Sequence, residues 1–232
     1  MDLEVLSDAD AVAARGAAVI AAEARASVAA RGRFLLAVSG GHTPWIMLSD
    51  LATEDVPWQA LSIFQVDERV APFEHQDRNL THLRKCLIGK TPLKDEQLYA
   101  MPVEASDLDV AAQSYAAKLR EIAGSPPVLD LIHLGLGPDG HTASLPPGDP
   151  VLGVANADVA VSGVYMGRRR MTLTFPTINR ARRILWLVTG GEKAGMLKRL
   201  YDGDSSIPAG RIGRDNALVL ADRSAASKLA AG

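Results

Sequence analysis

Residues 135–141, GLGPDGH, set Asp139 and His141 on a stretch bent by three glycines. Histidine gains and loses a proton near neutral pH. A carboxylate two residues away can hold its tautomer and support its cationic form, so the pair suits general acid–base work. The same stretch spells G-x-G-x-x-G, the spacing of a dinucleotide-binding turn, but such a turn must open a helix. Pro146, Pro147, Gly148 and Pro150 cut off any helix here. The segment is therefore predicted to be a catalytic loop and not a cofactor cradle.

Four further clusters carry charge or anion-binding geometry. In SGGHTP (39–44), Ser39, Gly40, Gly41, His42 and Thr43 precede an expected helix. Glycines let successive N–H groups converge and the helix adds the positive end of its dipole, which suits a phosphate; a plain strand-to-helix turn would look the same. Ser39 is not a hydrolase nucleophile, because Ala37 stands where G-x-S-x-G needs its first glycine. Asp67 and Arg69 form a charged cluster in DERVAP (67–72), and Arg168, Arg169 and Arg170 run into MTLTF. Such runs usually face solvent, yet one arginine turned inward from a strand edge can meet an anion. Lys193, just past Gly190 and Gly191, can add a point charge to the same anion. The histidines at 42, 75, 82 and 133 show no metal-ligand spacing, and His133, inside an apolar run, reads as a satisfied core residue.

These residues need elements to hold them. A long helix is expected from Ser7 to Arg31, ending at Gly32, and RFLLAVSGG (33–41) then reads as a strand and glycine turn. Thr43 is placed as N-cap and Pro44 as the first residue of the next helix. LSIFQV (61–66), VLDLIHLG (128–135), RMTLTF (170–175), RILWLV (183–188) and NALVLAD (216–222) read as strands. Helices are expected over 106–124, over GEKAGMLKRLY (191–201) and over the terminal RSAASKLAA (223–231). Alternating strands and helices with near-continuous apolar strands predict a single-domain α/β three-layer sandwich: a mostly parallel, Rossmann-like sheet covered by helices on both faces. In such a sheet ligands sit outside the carboxyl ends of the strands, where SGGHTP, DERVAP, GLGPDGHTAS and GGEK fall with most of the chemistry-bearing residues.

Composition narrows the partners. The 232 residues carry 25 Lys plus Arg against 27 Asp plus Glu, a net of −2, so no global field holds nucleic acid or an anionic membrane. The acidic start, MDLEVLSDADAVAARG, lacks a signal core, no apolar run approaches a membrane span, and the lone Cys86 can form no internal disulfide. A cytoplasmic protein is expected. Cys86 receives no role.

Taken in order, SGGHTP, DERVAP, LGLGPDGHTASLPPGDP, RMTLTFPTINRAR, VTGGEKAGML and IPAGRI resemble the glucosamine-6-phosphate isomerase/6-phosphogluconolactonase family, on its lactonase side, from about Leu35 to the terminal LVLADRSAA. The resemblance implies hydrolysis of 6-phosphoglucono-1,5-lactone to 6-phosphogluconate, a step of the oxidative pentose phosphate pathway, with neither metal nor organic cofactor. It implies a phosphate loop at Ser39 to Thr43, basic phosphate ligands at Arg170 and Lys193, the family's DER pair at Asp67 and Arg69, and the catalytic histidine at His141. Asp139 would orient that histidine or support its charge, and whether Asp67 aids proton transfer or organises Arg69 stays open. Two positions depart from the pattern: His42 stands for the serine of SGGSTP and Pro146 for the phenylalanine of ASLFPG, which leaves the hydroxyl contribution to phosphate binding and the pocket wall in question.

Two rival functions share these features. A deaminase or isomerase of amino-sugar phosphates needs more acid and base groups, and similar deaminases carry a glutamate shortly after DGH; here TASLPPGD follows, with no Glu. A non-catalytic sugar-phosphate sensor would keep the phosphate loop without needing His141, but would carry a further DNA-binding or partner domain, for which no segment is seen.

Overall fold

The computed structural model describes residues 1–229. In chain order the elements are β1 (Asp2–Leu6), α1 (Ala9–Arg31), β2 (Phe34–Val38), α2 (His42–Leu51), β3 (Leu61–Gln65), β4 (Asp67–Arg69), α3 (Asn79–Leu87), β5 (Leu98–Tyr99), α4 (Leu108–Ala123), β6 (Leu131–Gly135), β7 (Val159–Tyr165), β8 (Arg168–Leu173), α5 (Phe175–Asn179), β9 (Ile184–Val188), α6 (Ala194–Tyr201) and β10 (Ala217–Asp222). Seven strands form one sheet in the order β1-β10-β9-β6-β2-β3-β5, and every pairing in it is parallel.

Because side chains alternate across a strand, each strand feeds two layers. Phe34, Leu36 and Val38 of β2 pack with Val12, Ile20, Met47 and Leu87 of α1, α2 and α3. Leu35 and Ala37 point the other way, into a core that holds Trp186 of β9, Leu119 of α4 and Leu197 of α6. Both faces are thus covered, and the buried strands read as unbroken apolar runs for that reason. The long first helix forms as its ends dictate: the Asp8 carboxylate caps the Ala11 N–H at 2.9 Å, and Gly32 takes the left-handed conformation at φ 71°.

Four expectations are corrected. RMTLTF does not join the main sheet; β8 pairs antiparallel with β4 and β7 in a separate three-stranded sheet packed against α4 through β7. Its own pattern explains this, since Met171 and Leu173 alternate with Arg170 and Thr172, as in an antiparallel sheet with one face on the core. DER, read as the loop after β3, is β4 itself. Helix α2 begins at His42 with Gly41 as N-cap, and the hydroxyl of Thr43 is engaged elsewhere. The described part of the terminal helix is a 3₁₀ turn, Ala225–Lys228, and residues 230 and 231 of that stretch lie outside the described residues. β1 was not anticipated; it adds a parallel edge strand beside β10.

The two sheets are joined at one residue. Val66 lies between β3 and β4, its N–H bonded to the Val38 carbonyl of the large sheet at 3.0 Å and its own carbonyl accepting from Leu173 N–H of the small sheet at 2.8 Å. Among the described residues no helix is long and apolar enough to cross a membrane.

Candidate active site

The carboxyl ends of β2, β6, β9 and β10 open onto a cleft of about 600 Å³, and the small sheet supplies its opposite wall. Ser39, Gly40, Gly41, His42 and Thr43 line it from the head of α2; Asp67, Arg69 and Arg170 line it from the small sheet; His141 and Lys193 complete it. The cleft therefore gathers residues 39–43, Asp67, Arg69, His141, Arg170 and Lys193, with Asp139 one contact behind the wall, whereas Arg168 and Arg169 of the basic run do not line it and Arg168 pairs with Asp77.

The GLGPDGH loop enters no helix after β6. A turn closes it, with Gly137 N–H donating to the His141 carbonyl at 2.9 Å and His141 N–H donating to Asp139 Oδ1 at 3.1 Å. His141 Nδ1 lies 2.6 Å from the same Oδ1. Burial alone would raise the Asp139 pKa, but hydrogen bonds from the His141 ring and backbone and from Tyr165 outweigh it and hold the carboxyl below its ordinary value. An ionised Asp139 only accepts, so the proton on His141 belongs on Nδ1 and Nε2 is left free. Gly137 is required by this packing: a Cβ there would stand 2.0 Å from His141 Nδ1 and 2.8 Å from Asp139 Oδ1.

Residues 39–43 divide by their contacts. Ser39 N–H donates to Nδ1 of His133, one strand away on β6, at 3.3 Å, so this amide is committed to the scaffold. The first N–H groups of α2 follow it and have no intrahelical acceptor. Thr43 Oγ1 bonds Thr189 Oγ1 at 2.8 Å, tying the start of α2 to the end of β9. His42 is exposed at the cleft edge, whereas Pro146 is buried and lies outside the lining, so that wall is built without it. His133 is fully buried but only half satisfied, since Nε2 has no partner among the described residues. Burial pushes its pKa down to about 3, so it stays neutral.

On the small sheet Arg69 and Arg170 are directly opposed across β4 and β8. Arg69 donates to the Asp77 carbonyl and to Asn79 Oδ1. Arg170 is only 6 % exposed, and burial draws its pKa below the ordinary arginine value while Asp67 opposes the shift. It remains a cation. The Asp67 carboxylate accepts the Ser144 hydroxyl at 2.6 Å, bracing the loop after β6 against β4.

Sequence reasoning missed three contributors. Asn79 holds Arg69 and, through Nδ2, the Asp67 carbonyl at 2.9 Å. Glu68, fully buried, accepts the N–H groups of Asn79 and Leu80 at the head of α3. Tyr165, at the end of β7, donates to Asp139 Oδ2 at 2.8 Å, and its Oη lies 3.1 Å from His141 Nδ1.

A parallel-sheet sandwich whose strand ends carry an acid–base pair beside clustered cations defines a class of α/β proteins equipped to act on small anionic molecules. The particular family follows from comparison: the chain belongs to the glucosamine-6-phosphate isomerases/6-phosphogluconolactonase family, whose sequence model matches residues 7–220. It is 38% identical over 175 residues to a 6-phosphogluconolactonase of Synechocystis, covering 74% of this chain and 72% of that one. With a 6-phosphogluconolactonase of Mycobacterium tuberculosis it shares 35% identity over 241 residues, covering 98% of each. Among solved structures, a 6-phosphogluconolactonase from Trypanosoma cruzi superposes with a TM-score of 0.88 at 25% identity, covering 99% of this chain and 97% of that one.

Proposed function

We propose that this chain hydrolyses the ring ester of 6-phosphoglucono-1,5-lactone to 6-phosphogluconate, a step of the oxidative pentose phosphate pathway, with His141 as general acid and base. The observation that carries the reading is the His141–Asp139 pair opening onto the same cleft as Arg69, Arg170 and Lys193. The lactonase relatives support the substrate class, and the chain's single buried cysteine accords with a cytosolic setting.

In this reading the phosphate lies against the N–H groups at the head of α2 and the side chains of Arg170 and Lys193, with Arg69 beside them. Binding energy gathered there, remote from the reacting carbon, holds the lactone carbonyl near His141. Nε2 takes a proton from water as that water's oxygen bonds to the carbonyl carbon. The tetrahedral adduct then collapses, its bond to the ring oxygen breaks, and Nε2 returns the proton to that oxygen. Asp139 keeps the ring oriented and supports the imidazolium, and Asp67 steadies the loop through Ser144 and balances Arg170.

The test is a lactonase assay at slightly acidic pH with spontaneous hydrolysis subtracted and glucosamine 6-phosphate assayed in parallel. Lactone turnover without ammonia release is the expected result. His141→Gln should lose at least about 100-fold in kcat with its fold intact. Near-normal turnover by that variant would overturn the assignment, and ammonia release from the amino sugar would favour the deaminase reading.

A further inference from the structure

We infer that Tyr165 is a positioning residue for this reaction: its hydroxyl closes a three-group ring with Asp139 and His141 that keeps the histidine proton on Nδ1 and Nε2 free to work. The inference rests on the reading of His141 as the acid–base group.

The proton assignment follows from the distances. With Asp139 ionised, Oδ2 accepts the Tyr165 hydroxyl at 2.8 Å and Oδ1 accepts Nδ1–H at 2.6 Å. A lone pair of Oη then faces Nδ1–H at 3.1 Å. Moving the proton to Nε2 would set the bare Nδ1 lone pair against both a carboxylate oxygen and a hydroxyl oxygen. Asp139 sits on a loop with about a third of its side chain exposed, and without a partner on Oδ2 its carboxylate could swing off the imidazole. Tyr165 removes that freedom. Its ring also meets the His141 ring edge to face, centroids 5.1 Å apart, which limits rotation of the imidazole.

Tyr165 reaches this place through an irregularity in β7. Ser162 pairs with Arg170 and Tyr165 with Arg168, so three steps along β7 match two along β8. One extra residue is accommodated, as in a β-bulge. In a regular ladder the third residue after Ser162 would face the opposite side. The insertion brings Tyr165 onto the face of Arg170, whose guanidinium carbon lies 5.1 Å from the Tyr165 ring centroid. Asp149 pins the irregularity, accepting Gly163 N–H at 2.9 Å through Oδ2 and capping Val151 N–H at 2.8 Å through Oδ1. A Cβ at Gly163 would stand 2.9 Å from that Oδ2, so a larger residue there would displace the Asp149 carboxylate. Tyr165 thus links the acid–base pair to a cation proposed to hold phosphate.

A hydroxyl donating to Asp139 also draws charge from the carboxylate that supports imidazolium. The other charged or titratable groups facing His141 across the cleft are Asp67, Arg69 and Arg170 from the small sheet, and His42 at α2. Glu192, Lys193 and Asp222 face it from the ends of β9 and β10. All of these remain in Tyr165→Phe, which deletes only the hydroxyl.

The experiment compares the full-length protein with Tyr165→Phe and Tyr165→Leu, reading kcat, KM, the acid limb of the pH profile and the 15N imidazole shifts of His141. Tyr165→Phe should lower kcat about tenfold with KM nearly unchanged. Its acid limb should move to higher pH, and the 15N shifts of His141 should show the ring proton less confined to Nδ1. Tyr165→Leu, which also removes the ring beneath Arg170, should raise KM several-fold in addition. Tyr165→Phe with unchanged kcat, acid limb and imidazole 15N shifts would overturn the proposal. The imidazole shifts separate the two readings: if His141→Gln kept its activity, the catalytic reading would fail while coupling of Tyr165 to His141 would still appear by NMR.

Discussion

His141 has no slack on its Nδ1 side, because Asp139, Tyr165 and the bare α-carbon of Gly137 occupy the space around that nitrogen. Gly137→Ala must therefore push the imidazole away from its aspartate. The expected outcome is a kcat lowered about 100-fold, since displacement on the order of 1 Å at a reacting group has that effect, with KM changed far less. Steady-state kinetics checks it, and near-normal kcat would show that the ring can be relocated without loss. At this scale the sequence was informative where partners are neighbours: Asp139 and His141 are two residues apart and share one turn. It was silent where they are distant. Tyr165 lies 24 residues beyond His141, and its contact depends on a one-residue irregularity in strand pairing that no local pattern announces.

The elements present their cations in an unfavourable arrangement. Arg69 and Arg170 are direct cross-strand partners, and like charges so placed repel. Asp67 offsets part of that repulsion, and a bound anion would offset more. Inorganic phosphate is thus expected to raise the thermal midpoint, by about 2.7 kcal/mol of stability when present at 100 times its dissociation constant. Arg170→Met should melt no lower than the parent without phosphate and lose most of the phosphate-induced rise, which thermal scans with and without the ion would reveal. A similar separation is expected kinetically for Lys193→Met, with KM raised about tenfold and kcat held within a few-fold, as for loss of binding shared by ground and transition states. The parallel layer was legible because its strands are buried on both faces and read as apolar runs. The small antiparallel sheet was not, since β4 has only three residues and the alternation of Arg170-Met171-Thr172-Leu173 in β8 is too short to tell an antiparallel strand from a parallel one.

For the molecule as a whole, acid should act through the core as well as the cleft. His133 titrates near 6.5 when unfolded and near 3 when folded, so between those values the unfolded chain binds a proton that the native protein excludes. Stability is undiminished by this group above about pH 6.5 and falls as pH drops toward 3. His133→Gln is expected to lessen the decline of the thermal midpoint between about pH 6 and pH 4, and an unchanged slope would remove His133 as its source. Since Nδ1 of His133 receives the Ser39 amide, the same protonation would loosen the loop at the head of α2. Val66 carries a different consequence. One peptide's N–H belongs to the large sheet and the carbonyl of the same residue to the small one, so no linker separates the two walls of the cleft. The protein has no hinge at this seam with which to clamp down on its ligand. It should behave as a rigid template, with the Val66 amide among the slowest to exchange its hydrogen and equally slow whether or not a ligand is bound.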